Sequence, residues 1–305
     1  MENLISVVIV TWNNEDTIKD CIQSVNYYIK NTEIIIVDNN SSDKTLHILK
    51  EFSQVRVFSL SQNMGFAYAN NYGVRFSTGN RLLFLNPDIV VKSNLRPMED
   101  YLTDGVGMVS GKIINLDGTL QPSCYSFENP INNFLAIFIL GKFFPEIIKR
   151  KKFFRWANHE HIMYPDWVMG SFMYISKKTF LEVEGFSEDY FLYAEDMDIC
   201  YKLYLKRYKT IYVPSFLVMH IGGVSERKSS NDEFSKIGKS IKSSKIFAKK
   251  FHLKNNITSF IEAYRLRVSI LQFIKIFSVK SNLKRRLSKL ISRDKYIIKS
   301  YKETI

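Results

Sequence analysis

The strongest constraint on this chain lies in its first ninety residues, where short β-branched apolar runs alternate with segments of helical spacing. Ile5 to Val10 (ISVVIV) and Glu33 to Val37 (EIIIV) predict strands buried on both faces, and Val55 to Ser59 and Arg81 to Leu85 (RLLFL) predict two more. Between them, Thr17 to Tyr28 puts Ile18, Cys21, Ile22 and Val25 on one side of a helix, and Thr45 to Phe52 and Gly65 to Ser77 predict further helices. Asn39 to Asp43 (NNSSD) carries turn and N-cap chemistry. Strands alternating with helices imply parallel βαβ units joined by right-handed crossovers. In such sheets a ligand sits beyond the carboxyl ends of the strands. Thr11, Asp38 and Asp88 stand at those ends, so the pattern predicts that they converge on one crevice.

A second block follows. Trp167 to Ser176 (WVMGSFMYIS) has strand character, Lys178 to Val183 and Asp196 to Lys206 read as helices, and Thr210 to Val213 and Phe216 to His220 read as strands. Between the blocks, Ile131 to Trp156 mixes aromatics with the basic cluster Lys149-Arg150-Lys151-Lys152. After Ser225, Gly and Pro become scarce and Lys/Ser-rich helical sequence runs on. The expected division is an α/β domain over 1–225 and a basic, mainly helical C-terminal extension over 226–305. There is no internal repeat.

Charge separates the two parts. From Glu226 onward there are 21 Lys/Arg and 6 Asp/Glu, a net of +15, whereas the rest carries −2. Such a segment attracts an anionic membrane surface or nucleic acid, or is a solvated helical face. Nucleic acid is the weakest of these, because the basic residues lack interleaved aromatic motifs or a zinc module. No apolar run is long enough to span a bilayer, and Phe134 to Leu140, the longest candidate, is soon followed by charge. The N-terminus lacks the pattern of a signal peptide. Cys21, Cys124 and Cys200 are widely spaced and odd in number, which argues against a disulfide framework or zinc site and fits a reducing cytoplasm.

VVIVTWNN, IIIVDNNSSDKT, NMGFAYANNYGVRFSTGNRLLFLNPD and GFSEDYFLYAEDMDICYKLYLKRYKTIYVPSFLVMHIGG occur in that order. Together, over roughly Leu4 to Ser225, they resemble the family 2 glycosyltransferases and, within them, a rhamnosyltransferase-like branch. The resemblance implies a GT-A fold: Rossmann-like, with a mostly parallel central sheet flanked by helices. It implies an enzyme of the hexosyltransferase class that is inverting and dependent on Mg²⁺ or Mn²⁺.

The resemblance also assigns roles. Asp38 would accept a hydrogen bond from the base imide, where a charged acceptor strengthens the bond. Thr11, with Asn13 and Asn39 of the same motifs, would line the nucleotide. Asn63, Gly65 and Asn70 would face the donor. Many relatives carry Arg at the position of Asn70, so here the metal, or a base elsewhere, must neutralise more of the diphosphate. Asn86 and Asp88 stand where the acidic metal motif lies. Asn86 replaces the usual first Asp and leaves Asp88 as the main carboxylate ligand, with His220 completing the metal site. Asp196 would be the general base that takes the acceptor hydroxyl proton. Crowding by Glu195 and Asp198 is expected to raise its pKa. Trp167 and Gly170 would line the sugar pocket.

Each position also has a structural reading: a cap or turn for Asp38, a turn for Asn63-Gly65 and for Asn86-Pro87-Asp88, an acidic helix N-terminus for Asp196, core for Trp167, and a satisfied lone histidine for His220. The expected substrates are a nucleotide-sugar donor, with dTDP-rhamnose the first choice, and a glycan or lipid-linked glycan acceptor. A UDP-hexose or galactofuranose donor is one alternative, and a non-catalytic nucleotide-sugar-binding protein is another. The expected location is cytoplasmic, peripheral at the inner face of the cytoplasmic membrane. The apolar clusters Ile270-Leu271, Phe273-Ile274 and Ile276-Phe277, beside Lys284-Arg285-Arg286, are expected to hold the chain to that surface with the help of Phe143 to Trp156; their alternative use is packing on the catalytic domain or a homo-oligomer interface.

Overall fold

The structure, a computed structural model, describes residues 3–222 and 233–303. Gly223 and the expected 225/226 boundary lie outside the described residues. The chain divides into two compact units: Met1–Ser126 with Pro145–Ser229, and Phe127–Phe144 with Ser230–Ile305, taken over the described residues.

The first unit is built on a nine-stranded sheet. Its first half follows the expected alternation: β1 (Ile5–Thr11), α1 (Ile18–Tyr28), β2 (Thr32–Asp38), α2 (Thr45–Leu49), β3 (Val55–Ser59), α3 (Phe66–Arg75) and β4 (Arg81–Leu85). β3, β2, β1 and β4 lie side by side in that order and parallel. Val7, Ile9, Ile34 and Ile36 pack with Ile18, Cys21, Ile22 and Val25 of α1 in the main core. α2 is shorter than its sequence pattern because Lys50, Glu51 and Phe52 donate to carbonyls only three residues back, a tightening common at helix ends.

The second half of the sheet is mixed. It contains β5 (Ile89–Val91), β6 (Val106–Asn115) and β7 (Leu120–Gln121); β8 (Cys124–Tyr125) pairs with β9 (Trp167–Val168) in a separate ribbon. β10 (Phe172–Ser176) runs antiparallel to β4, and β11 (Lys209–His220) runs parallel to β6 and antiparallel to β5. β6 has no counterpart in the sequence reading. The single strand expected over Trp167 to Ser176 is two, because the intervening backbone turns away: Met169 N–H donates to Ser123 O at 3.0 Å and Gly170 N–H to Asp196 Oδ2 at 3.1 Å. The two strands expected around Pro214 are one, with a register shift between Val213 and Leu217 absorbing the irregularity. α5 (Glu146–Lys152), α6 (Lys177–Glu182) and α7 (Glu195–Leu205) complete this unit.

The second unit is helical: α4 (Pro130–Ile137), α8 (Glu233–Lys250), α9 (Lys254–Phe277) and α10 (Ser281–Lys302). Ile241, Ile261, Ile297 and Tyr301 form its core. α4 is tied in by polar side chains: Asn133 Nδ2 donates to Ser259 Oγ at 3.2 Å, and Asn256 Nδ2 to Glu128 O at 2.7 Å. Asp294 is fully buried, with Arg267 Nε at 3.4 Å and Arg293 Nη2 at 3.3 Å. No helix among the described residues is long and apolar enough to cross a membrane.

Candidate active site

The site begins where β1 and β2 end. Their parallel register sets Thr11 opposite Asp38, so the two side chains leave the sheet at one level. Thr11 Oγ1 donates to Asp38 Oδ1 at 2.9 Å, and Ser41 N–H donates to Asp38 Oδ2 at 2.9 Å. Asp38 is fully buried, and its carboxylate organises the turn after β2. Asn13, in the left-handed conformation at φ 57°, accepts from Ser42 N–H at 2.8 Å and links the two loops.

Asn39 extends this network. It accepts from Met64 N–H at 2.9 Å and donates to Gly65 O at 3.1 Å, while Asn63 accepts from Gly65 N–H at 3.0 Å. Gly65 has φ +86°, and a Cβ there would lie 2.6 Å from Phe191 O, so only glycine lets the start of α3 approach the loop before α7. Asn71 fixes the same loop, donating to Phe186 O at 2.8 Å and accepting from Phe186 N–H at 3.0 Å. Asn70 is buried, and its amide donates to Phe66 O at 2.9 Å within its own helix.

The loop that Gly65 and Asn71 hold delivers the acids. Tyr193 and Ala194 both have left-handed backbones, φ 70° and 69°, immediately before Glu195 and Asp196. Non-glycine residues in that region cost of order 1–3 kcal/mol each and persist where their surroundings over-determine them. Asp196 accepts from Gly170 N–H at 3.1 Å and Met197 N–H at 2.8 Å. Burial raises its pKa against these bonds, so the expected direction holds, but crowding is not the cause. Crowding falls on Glu195, whose pKa is raised first by burial and then by the charge of Asp196, and whose Oε2 has no hydrogen-bond partner. Asp198 is committed elsewhere: it accepts from Tyr190 Oη at 2.9 Å and pairs with Lys202 at 3.5 Å. Three neighbouring carboxyls therefore have three environments.

Asp88 and His220 meet across β5 and β11, with Asp88 Oδ1 3.1 Å from His220 Nε2. Ile221 N–H donates to Asp88 O at 2.9 Å and holds the two strand ends together. Gln121 Oε1 lies 2.9 Å from His220 Nδ1 and fixes the ring. With the proton on Nδ1, the Nε2 lone pair faces the carboxylate, and two acceptors oppose each other unless a proton or a cation lies between them. That donor set fits Mg²⁺ or Mn²⁺, which take one or two protein ligands and complete their shell with substrate phosphates and water. Asn86, whose backbone N–H donates to Ser171 O at 3.1 Å, joins this corner to Gly170, and its own Oδ1 is buried without a partner.

Trp167 stacks on Tyr125, ring centroids 4.4 Å apart, and donates from Nε1 to Ser126 O at 3.2 Å. Gln121 and Tyr125 are not legible in the sequence as site residues, nor is the contact of the Gly170 backbone N–H with Asp196, because each acts through a partner far away in sequence.

The glycosyl transferase family 2 model matches residues 6–177, and that of glycosyl transferase family group 2 matches residues 132–239. Among curated relatives, rhamnosyltransferase WbbL of Escherichia coli K12 is 28% identical over 71% of this chain and 83% of its own length. An N-acetylglucosaminyl-diphospho-decaprenol L-rhamnosyltransferase of Mycobacterium tuberculosis is 24% identical over 72% of this chain and 76% of its own. Among solved structures, the Pyrobaculum calidifontis mannosyltransferase PcManGT, in complex with GDP-Man and Mn²⁺, superposes with a TM-score of 0.58 at 13% identity, covering 98% of this chain and 86% of that one. GalNAc-T7 gives a TM-score of 0.54 at 19% identity over 72% of this chain, which spans 44% of the length of GalNAc-T7. The fold is GT-A, and with the family match extending over more than half of the sequence, the chain belongs to glycosyl transferase family 2 and is a glycosyltransferase.

Proposed function

We propose that the protein transfers a sugar, with inversion, from a nucleotide-sugar donor to a hydroxyl of a growing lipid-linked surface glycan, with dTDP-rhamnose as the donor. The observation that carries this is the carboxylate of Asp196, aimed by two backbone N–H groups and raised in basicity by burial. A single base on the face opposite the leaving group is what a one-step inversion needs. Asp196 takes the proton of the acceptor hydroxyl as its oxygen attacks the anomeric carbon and the bond to the diphosphate breaks. Gly170 and Met197 hold the base in place, and Trp167, backed by Tyr125, offers a ring edge to the sugars.

Asp88 and His220 would hold Mg²⁺ or Mn²⁺, which when bound stabilises the negative charge that develops on the leaving diphosphate. Thr11, Asn13, Asp38 and Asn39 shape the nucleotide end, and Asn63, Gly65 and Asn86 its phosphate and sugar end. The rhamnosyl donor and lipid-linked acceptor rest on the two curated relatives, one of which is named for a diphospho-decaprenol acceptor. On this reading the enzyme works at the membrane, on the cytoplasmic face, where it meets both the nucleotide-sugar donor and the lipid-linked acceptor.

A panel of nucleotide sugars, assayed for hydrolysis and for thermal stabilisation with and without chelator, tests the reading. dTDP-rhamnose should be used best, and only with divalent metal. Preference for a UDP-hexose or UDP-galactofuranose would reassign the donor, and metal-independent turnover would remove the ion.

A further inference from the structure

The second unit ends α9 and begins α10 with an elbow at Ser278, Val279 and Lys280. Its apolar side chains are not packed away. Phe273, Ile274, Ile276 and Phe277 on the last turns of α9 are exposed, Phe277 at 69% and Val279 at 96%. Leu266, Ile270, Phe273, Ile274 and Phe277 fall at helical spacing and form one stripe, all exposed. Contiguous exposed apolar surface of this kind marks an interaction site.

Charge says with what. Between Glu262 and Asp294 there are nine Lys/Arg and no Asp or Glu. Arg265, Arg267 and Arg293 are paired with Glu262 or Asp294. Lys280, Lys284, Arg285, Arg286 and Lys289, at and just beyond the elbow, are exposed. A second copy meeting this face about a two-fold axis would set cations against cations. An anionic bilayer satisfies both halves of the pattern, since apolar groups enter the headgroup boundary while Lys and Arg remain at the phosphates.

We propose that the α9–α10 elbow is the membrane-docking tip of this protein: Phe273, Ile276, Phe277 and Val279 insert into an anionic leaflet, and Lys280, Lys284, Arg285, Arg286 and Lys289 bind its headgroups. This rests on the reading that the enzyme works on a membrane-held acceptor and names the surface that holds it there.

The three native cysteines are buried, so Val279→Cys in the full chain gives one exposed thiol for an environment-sensitive dye. The dye should brighten with vesicles of mixed phosphatidylcholine and phosphatidylglycerol, and not with phosphatidylcholine alone. Phe273→Ser/Phe277→Ser should lower vesicle partitioning at least tenfold, roughly the loss of one buried aromatic or more. Lys284→Ala/Arg285→Ala should lower it about 30-fold, the equivalent of two surface-bound cations, and high salt should mimic this. Both variants should hydrolyse nucleotide sugar like the parent, which shows that they fold. An unchanged dye signal on every vesicle overturns the proposal. So does conversion of a dimer to a monomer by Phe273→Ser/Phe277→Ser with vesicle binding intact. Vesicle docking by a chain that turns over no nucleotide sugar would leave the tip standing and sink the transferase reading instead.

Discussion

Gly65 and Phe191 are in closer contact than any other residue at position 65 would allow: a Cβ there would lie 2.6 Å from the Phe191 carbonyl oxygen, at a φ of +86°. This contact joins the start of α3 to the loop that delivers Asp196, so it would couple the proposed nucleotide end of the site to the proposed base. Gly65→Ala should push that loop away. The expected outcome is a kcat drop of at least tenfold with only a small loss of donor affinity, since a shift of about 1 Å at a positioned group can cost about 10²-fold. Steady-state kinetics for donor and acceptor check it; an unchanged kcat would mean that the loop tolerates the displacement.

Asp196→Asn keeps the shape of the base and removes its basicity. Transfer should fall by about 10²–10⁴-fold while the donor still binds. Calorimetry of donor binding beside single-turnover rates separates the two effects. Lost binding with an intact rate constant would make Asp196 a positioning residue.

The pH profile follows from the environments of the acid pair. The proposed base, Asp196, has to be ionised to act and its pKa is raised by burial, so kcat should climb with pH through a midpoint above the ordinary aspartate range. Glu195 is pushed up first by burial and then by the charge of Asp196, so it holds its proton more tightly once Asp196 is ionised. Glu195→Gln should therefore leave the acid limb in place. An acid limb displaced by a pH unit or more in that variant would show that the two carboxyls share the proton.

At the proposed metal site, Asp88→Ala and His220→Ala should each abolish most metal-dependent turnover. Gln121 meets His220 at the nitrogen turned away from Asp88, at 2.9 Å. Gln121→Leu should weaken the apparent Mn²⁺ affinity by about 10–100-fold and leave the rate at saturating metal nearly intact. A Mn²⁺ titration of activity distinguishes that shift from a lost rate. Equal activity of Asp88→Ala in chelator would remove the ion from the mechanism.

In the second unit, burial pushes Glu128 up to about 7. A carboxyl whose pKa is higher folded than unfolded favours the protonated fold, so the unit should lose stability as pH rises from the ordinary glutamate range through about 7. Glu128→Gln should remove that slope and melt higher than the parent at pH values above it. Thermal melts across pH provide the measurement, and parallel curves for both proteins would show that Glu128 stays well solvated.

The alternation of apolar runs and helical spacing is enough to dictate the architecture of the first half of the sheet. The β-branched runs at Ile5 and Glu33 and the Leu/Phe run after Arg81 have no stable place except buried strands, Val55–Ser59 adds a half-exposed edge strand, and the spacing of Ile18, Cys21, Ile22 and Val25 has no place except a helix lying on the sheet. Because parallel strands end on one side, Thr11 and Asp38 were bound to meet once their strands paired in register. The acid and histidine motifs identified the family through residues that chemistry confines to few types. Tertiary structure alone decided the rest. β6 is a central strand that lacks a clean alternation, and it is fixed by neighbours on both sides rather than by its own pattern. Gly170 aims Asp196 through a backbone N–H, which carries no sequence signal, and Gln121 reaches His220 from 99 residues away. Which carboxyl is raised by burial, which by a neighbour's charge and which is tied to a tyrosine depends on packing around α7, because desolvation and Coulomb energy follow distance in space and not position in the chain.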